Sequence, residues 1–147
     1  MRIAVMGAGA VGCYYGAMLA RAGHAVTLIG RAQHVDAVRR DGLFLNTQSF
    51  QAHVPMEAST EAIAVRGAKL VLCCVKSIDT DSAAAGIAPH LEPDALVLSL
   101  QNGVDNAERL QPAQDRGAVH CDARQSPLAH LGQAGRGPLG GAVTANP

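Results

Sequence analysis

Short apolar runs alternate with helical patterns along residues 1–111 of the chain. The runs are rich in Val, Ile and Leu and predict strands at residues 2–6, 25–29, 69–75 and 95–100, with two shorter strands at 43–45 and 50–54. Apolar residues recur at helical spacing between these runs, which predicts helices over 11–22, 34–40, 80–90 and 104–110. Because strands separated by helices imply right-handed crossovers, we predict an α/β fold with a doubly wound parallel sheet.

Neither pattern continues beyond residue 111. The larger aliphatic residues after that point are few, namely Val119, Leu128, Leu131, Leu139 and Val143. So few apolar side chains cannot offset a backbone entropy of about 1–2 kcal/mol per ordered residue. We therefore predict one domain at 1–111 and a weakly ordered or aberrant tail at 112–147 that is not an independent domain. Two origins fit this tail, a native disordered segment and a GC-rich gene read out of frame after about Gln111.

Composition and charge narrow the classes of partner. Twelve basic residues balance twelve acidic ones, so we expect neither nucleic acid nor an anionic membrane as a partner. No apolar run approaches the ~20 residues of a membrane span. The four cysteines form no C-x-x-C pair and follow no signal peptide, which favours a reducing, cytoplasmic location. The spacing of His120, Cys121 and His130 matches no zinc pattern, and no metal site is predicted.

A glycine turn joins the first predicted strand to the first predicted helix. The segment Gly7-Ala8-Gly9-Ala10-Val11-Gly12 matches G-x-G-x-x-G in the strand-turn-helix context that the dinucleotide-binding fingerprint requires. In that motif the first glycine permits the tight turn, the second lets a pyrophosphate approach the backbone, and the third lets the helix pack on the strand. The N–H groups and positive dipole end of the helix then face the phosphates. A glycine-rich turn without a ligand is the alternative.

The end of the second predicted strand bears on which dinucleotide binds. NAD sites usually place an Asp or Glu there to accept hydrogen bonds from the ribose hydroxyls. This chain has Gly30 and Arg31 instead, and no carboxylate stands at 28–33. The guanidinium fork of Arg31 suits a 2′-phosphate, so the sequence predicts NADP(H), with flavin as a weaker alternative.

Two polar residues follow the third and fourth long strands. Lys76 comes after the run at 69–75, and Asn102 comes after the run at 95–100. Because a ligand in an open α/β sheet lies across the carboxyl ends of the strands, both side chains are candidates for the nicotinamide end of the site. The ammonium can meet a ribose hydroxyl, a phosphate or a substrate carboxylate, and the amide can both donate and accept.

Three segments together carry a resemblance to a known family. The glycine turn near the start, Leu72-Cys73-Cys74-Val75-Lys76 and Leu100-Gln101-Asn102-Gly103-Val104 resemble the N-terminal half of the ketopantoate reductase (2-dehydropantoate 2-reductase) family over residues 1–111. The resemblance implies a Rossmann-type fold in which Gly7, Gly9 and Gly12 bind pyrophosphate. It also implies that Arg31 binds the 2′-phosphate and that Lys76 and Asn102 bind the nicotinamide end of NADPH.

The resemblance also implies a reaction and a missing half. The family reduces a small 2-oxo acid, 2-dehydropantoate, to pantoate on the route to pantothenate and coenzyme A. Its members continue into a helical domain that carries the general-acid Lys and a substrate-binding Glu. This 147-residue chain is expected to lack that domain and to be inactive alone, with no catalytic residue of its own. Two alternatives are a non-catalytic NADP(H)-binding or regulatory module and another two-domain dehydrogenase such as an opine-type enzyme.

Overall fold

The structure is a computed structural model that describes residues 1–47, 50–102, 105–114, 119–122 and 143–144. The strands are β1 (Arg2–Met6), β2 (Ala25–Ile29), β3 (Leu43–Asn46), β4 (Gln51–Val54), β5 (Glu57–Ser59), β6 (Leu70–Cys73), β7 (Leu96–Ser99), β8 (Val119–Asp122) and β9 (Val143–Thr144). The α-helices are α1 (Ala10–Arg21), α2 (Ala32–Asp41), α3 (Thr80–Ile87), α4 (Asn106–Arg109) and α5 (Gln111–Gln114). Single 3-10 turns lie at Ala62–Val65, Ser77–Asp79 and Ala88–His90.

Six strands form a parallel sheet in the order β5-β2-β1-β6-β7-β8. The chain runs outward from β1 through β2 to β5, then returns to the other side of β1 and continues through β6, β7 and β8. This confirms the predicted doubly wound sheet. The reversal between β1 and β6 opens a crevice outside the carboxyl ends of the central strands, which is where ligands bind in such sheets.

Apolar layers cover both faces of the sheet. Val5 and Leu72 face the layer formed with α1, α2 and the antiparallel β3–β4 pair, whereas Ala4 and Val71 face the layer formed with α3. Neighbouring residues of each central strand therefore point to opposite layers and are buried in both. Such two-sided burial explains why these strands appear in the sequence as nearly continuous apolar runs.

The helix predicted over 80–90 is shorter in the structure. It ends at Ile87 and passes into the 3-10 turn Ala88–His90. Pro89 has no N–H group to donate to a carbonyl one turn earlier, so the α-helical ladder cannot continue through it. The apolar spacing of the segment alone did not reveal this change of helix type.

Elements outside the apolar runs were not predicted. β5 has one buried apolar residue, Ala58, between polar neighbours, and it forms the edge of the sheet beside β2. Beyond residue 111 the structure contains α5, β8 and β9, and β8 continues the sheet in register with β7 from Leu96 opposite Val119 to Ser99 opposite Asp122. The division at residue 111 stays a prediction, because most of 115–147 lies outside the described residues. Within the described ranges, no helix is long and apolar enough to cross a bilayer.

Candidate functional site

The predicted glycine turn lies between β1 and α1 and is tightly packed. Gly7 has a φ of +114°, and a Cβ on it would stand 2.7 Å from the carbonyl carbon of Cys74. A Cβ on Gly12 would overlap the carbonyl oxygen of Gly7 and stand 3.1 Å from Cγ1 of Val5. Both positions therefore require glycine, as expected for a turn that brings α1 close to β1 and β6.

Gly9 is glycine in an open position. It is exposed, it precedes the first residue of α1, and a Cβ built on it would have no heavy atom within 4 Å. Ala10 and Val11 begin the helix and are also exposed. The first N–H groups of an α-helix lack intrahelical partners, so the turn presents donors and positive dipole charge to open space.

A cavity of about 810 Å³ lies over this turn at the carboxyl ends of β1, β2 and β6. Its walls include Gly7, Ala8, Gly9, Gly30, Arg31, His34, Thr60, Cys74, Lys76 and Asp79. The volume falls within the range of about 300–1,000 Å³ that is common for small-molecule and cofactor sites. The structure thus brings the glycine turn, Arg31 and Lys76 to one cavity, and Ala10, Val11 and Gly12 continue the turn into α1.

Arg31 stands at the cavity wall where β2 passes into α2. It is the N-cap residue of α2, its backbone is extended, and its side chain is exposed. His34 lies one helical turn further on and also lines the cavity. Sequence analysis did not single out His34, although its three-residue spacing from Arg31 places both on one side of the first turn of α2.

Lys76 and Asn102 occupy neighbouring loops; Lys76 lines the cavity, whereas Asn102 does not. Lys76 precedes the 3-10 turn Ser77–Asp79, and the Ser77 hydroxyl donates a hydrogen bond of 3.1 Å to the backbone oxygen of Asn102. The chain's other lysine, Lys69, lies at the opposite end of β6 in an ion pair of 2.7 Å with Asp94. Of the two lysines in the chain, Lys76 is therefore the one that lies at the carboxyl edge of the sheet.

Gln101 joins these two loops, and sequence analysis gave it no role. Its side-chain Nε2 donates hydrogen bonds of 3.0 Å to the backbone oxygen of Val75 and 2.7 Å to Oγ1 of Thr80. Its Oε1 accepts a hydrogen bond of 3.3 Å from the hydroxyl of Ser99. Gln101, Thr80 and Ser99 are all buried, so the network is enclosed beneath the loops that carry Lys76 and Asn102.

Burial keeps the thiols of Cys13, Cys73 and Cys74 from ionising to nucleophilic thiolates. Burial raises the pKa of Cys13 and of Cys73 to about 11. Burial and the neighbouring thiols Cys73 and Cys13 raise the pKa of Cys74 to about 12. All three thiols stay protonated near neutral pH, and Cys73 and Cys74 pack as small apolar residues in the layers on opposite faces of the sheet.

Comparisons with known proteins identify the family that this chain resembles. A family model described as "Ketopantoate reductase PanE/ApbA" matches residues 3–137. The 2-dehydropantoate 2-reductase of Pyrococcus horikoshii is 38% identical over 113 residues, which cover 75% of this chain and 36% of that protein. The 2-dehydropantoate 2-reductase of Halobacterium salinarum is 40% identical over 109 residues, which cover 73% of this chain and 36% of that protein.

A solved structure has a similar fold over most of this chain. The crystal structure of a PanE/ApbA family ketopantoate reductase from Ralstonia eutropha JMP134 superposes with a TM-score of 0.79 at 56% sequence identity. The superposition covers 83% of this chain and 40% of that one. The chain thus spans little more than a third of the length of the curated relatives that it matches. Over the span that it shares with them, the chain belongs to the ketopantoate reductase (PanE/ApbA) family.

Proposed function

We propose that this chain is the NADP(H)-binding part of an oxidoreductase that reduces the ketone of a small 2-oxo acid, of the 2-dehydropantoate 2-reductase type. One observation carries the proposal. The glycine turn, Arg31 and Lys76 come from distant parts of the sequence and line one cavity at the crevice between β1, β2 and β6. The reductase activity for which the family is named and the position of this crevice both support a dinucleotide-dependent reductase.

The residues present fit a phosphorylated dinucleotide. The open space at Gly9 leaves room for a pyrophosphate beside the backbone N–H groups of the turn from Gly7 to Gly12, including Ala8, Ala10 and Val11. The exposed guanidinium of Arg31 suits a 2′-phosphate, and no carboxylate stands beside it at 28–33 to favour unphosphorylated ribose. Bound NADPH would supply the hydride for reduction of the ketone.

Lys76 lines the cavity and Asn102 lies in the adjoining loop, so in this proposal both would meet the nicotinamide end. The ammonium of Lys76 can hold a ribose hydroxyl or the carboxylate of a 2-oxo acid, and the Asn102 amide can hold a second polar group. Delivery of a proton to the reduced oxygen needs a further acid, which typically contributes on the order of 10²–10⁴-fold to the rate. The only other lysine, Lys69, is at the opposite end of the sheet in its ion pair with Asp94. We therefore expect the chain alone to bind NADPH without turnover.

Titration of the purified chain with NADPH and NADH, followed by intrinsic cofactor fluorescence, tests this function. We expect NADPH to bind more tightly than NADH and to remain unoxidised when 2-dehydropantoate is added. Failure of both dinucleotides to bind would contradict the proposed cofactor site. Oxidation of NADPH by the chain alone would contradict the proposal that this chain binds the cofactor but needs a further acid for turnover.

The variant Arg31→Ala tests the assignment of the 2′-phosphate. Hydrogen bonds to charged groups contribute about 1.5–3 kcal/mol, so the dissociation constant for NADPH should rise roughly 10–100-fold while that for NADH changes little. Arg40→Ala is a matched control, because Arg40 pairs with Asp41 at an exposed site near the far end of α2. Equal losses of NADPH and NADH affinity in Arg31→Ala would refute the role of Arg31.

A non-catalytic NADP(H)-binding module is the second candidate, because the groups that line the cavity account for nucleotide binding by themselves. The two candidates differ when the remaining, C-terminal part of a family reductase is added as a separate chain. If the chain is part of a reductase, the mixture of the two chains should oxidise NADPH in the presence of a 2-oxo acid. If the chain is a non-catalytic binding module, the mixture should not oxidise NADPH. Loss of the regained activity in Lys76→Ala would place the reaction at this site.

A further inference from the structure

Gln101 has the geometry of a positioning residue for the nicotinamide end of the site. We infer that its buried carboxamide sets the spacing between the loop of Lys76 and the loop of Asn102, and so determines how tightly the nicotinamide half of NADPH is held. This inference rests on the proposed function. It concerns a residue that lies behind the cavity wall, hydrogen-bonded to the lining residue Val75, and that in our proposal does not contact the cofactor.

The backbone of the sheet cannot set this spacing by itself. The parallel pairing of β6 and β7 ends with Cys73 opposite Ser99, and the last backbone hydrogen bond between the strands runs from Leu100 N to Cys73 O at 3.0 Å. Lys76 and Asn102 lie beyond that bond. Their separation therefore depends on side-chain contacts between the two loops.

The Ser77 hydroxyl supplies one such contact, to the backbone oxygen of Asn102. Gln101 supplies two more, one at each end of the Lys76 loop. The backbone oxygen of Val75 lies immediately before Lys76, and the hydroxyl of Thr80 lies immediately after the turn that follows it. The two N–H groups of one carboxamide bind both, at 3.0 Å and 2.7 Å. The segment 76–79 is thus held at each end by the residue that directly precedes Asn102.

The surroundings leave the Gln101 carboxamide little freedom. Gln101 is 5% exposed and Thr80 and Ser99 are 0% exposed, so water cannot readily replace a lost partner. The Ser99 hydroxyl donates to Oε1 at 3.3 Å, which fixes the orientation in which Nε2 faces Val75 and Thr80. A buried amide with its donors engaged in this way orders the groups that it contacts.

Adenosine 2′,5′-bisphosphate provides the control ligand, because it has the 2′-phosphate end of NADPH and no nicotinamide. In Gln101→Met, which keeps the length of the side chain but removes its donors, we expect the dissociation constant for NADPH to rise about tenfold, as for the loss of one or two hydrogen bonds. The dissociation constant for the bisphosphate should change by less than about twofold. If Gln101 merely supported the fold, its substitution would weaken the binding of both ligands to a similar extent.

Thr80 provides a second route to the same contact. Thr80→Val keeps the shape and removes the hydroxyl that accepts from Gln101, so it should also weaken NADPH selectively, whereas Thr80→Ser should restore wild-type binding. Thr27→Val is the matched control, since Thr27 is buried and its hydroxyl donates to Glu57 at 3.1 Å away from these loops. It should leave the ratio of the two dissociation constants unchanged.

The outcomes separate this inference from the proposed function. If the wild-type chain binds neither NADPH nor the bisphosphate, the proposed function fails and this inference fails with it. If the wild type binds both, equal losses of the two ligands in Gln101→Met and Thr80→Val overturn the inference alone. Unchanged binding in both variants, or equal behaviour of Thr80→Ser and Thr80→Val, also overturns it.

Discussion

At the scale of single residues, Gly9 and Gly12 lie in the same turn but are constrained by different neighbours. Space around Gly12 is filled by the carbonyl oxygen of Gly7 and by the side chains of Val5 and Cys74. Space around Gly9 is open. The fold therefore needs glycine at position 12, and the proposed ligand needs it at position 9.

This difference gives a paired prediction. Gly12→Ala should lower the free energy of unfolding by about 1–3 kcal/mol, because the added methyl group overpacks a filled space. Gly9→Ala should leave that free energy nearly unchanged. It should weaken the binding of NADPH, because the methyl group would enter the space in which we propose that the pyrophosphate lies. Urea denaturation and NADPH titration of both variants measure the two effects. Normal NADPH affinity in Gly9→Ala would contradict the proposed approach of the cofactor.

The positions of single residues at the cavity could be predicted where a motif or a strand end marked them. Arg31 and Lys76 each follow an apolar run, and parallel strands bring such ends to one edge. The contacts of Gln101 could not be predicted in this way. Its partners Val75 and Thr80 are 26 and 21 residues away, and no local pattern specifies a contact over that separation.

At the scale of elements, prediction succeeded where burial on two faces produced a long apolar run. β1, β2, β6 and β7 are such strands, and each was predicted within two residues of its observed ends. β5 and β8 are short strands with mixed composition, and their pairing with β2 and β7 defines them. Tertiary pairing of this kind overrides local propensity and is not visible in the sequence of the segment alone.

A buried thiol at the end of β6 is expected to make the free energy of unfolding depend on pH in alkaline solution. The last residue of this strand, Cys73, has a pKa of about 11 because of burial, against an ordinary value of 9.0. Above pH 9 the unfolded chain releases the thiol proton and the folded chain keeps it, so unfolding becomes progressively easier up to pH 11. The contribution is up to about 1.4 kcal/mol per pH unit for this thiol and is absent below pH 9.

Urea denaturation of the wild type and of Cys73→Ala across this interval measures the contribution. The lost packing of the thiol shifts the variant by an amount that does not depend on pH, so the slope against pH isolates the ionisation. We expect a shallower fall in the variant. Parallel curves for the two proteins would show that Cys73 ionises equally in the folded and unfolded chains.

At the scale of the whole molecule, β8 extends the sheet on the side of β7. This pairing bears on the sequence-based division of the chain at residue 111, since β8 lies beyond that point. If β8 stabilises the sheet by pairing with the edge of β7, the segment that contains β8 contributes to the stability of the domain. If it does not, the domain is complete without it.

Two shortened chains distinguish these cases. The chain 1–114 lacks β8 and leaves the edge of β7 unpaired, so it should unfold with a free energy lower by about 1–3 kcal/mol and associate more readily. The chain 1–122 keeps β8 and is the control. Urea denaturation and size-exclusion chromatography with light scattering measure both properties. Equal behaviour of the two chains would support the division at residue 111.

The cavity described above is built from an early part of the chain, since its walls run from Met6 to Asp79. The Gln101 contacts that bind the Lys76 loop come later in the sequence. Synthesis at about 5–20 residues per second places an interval of roughly 1–4 s between the emergence of these two parts from the ribosome. All residues that line the cavity therefore leave the ribosome before Gln101, and the loop of Lys76 cannot acquire its hydrogen bonds from Gln101 until that interval has passed.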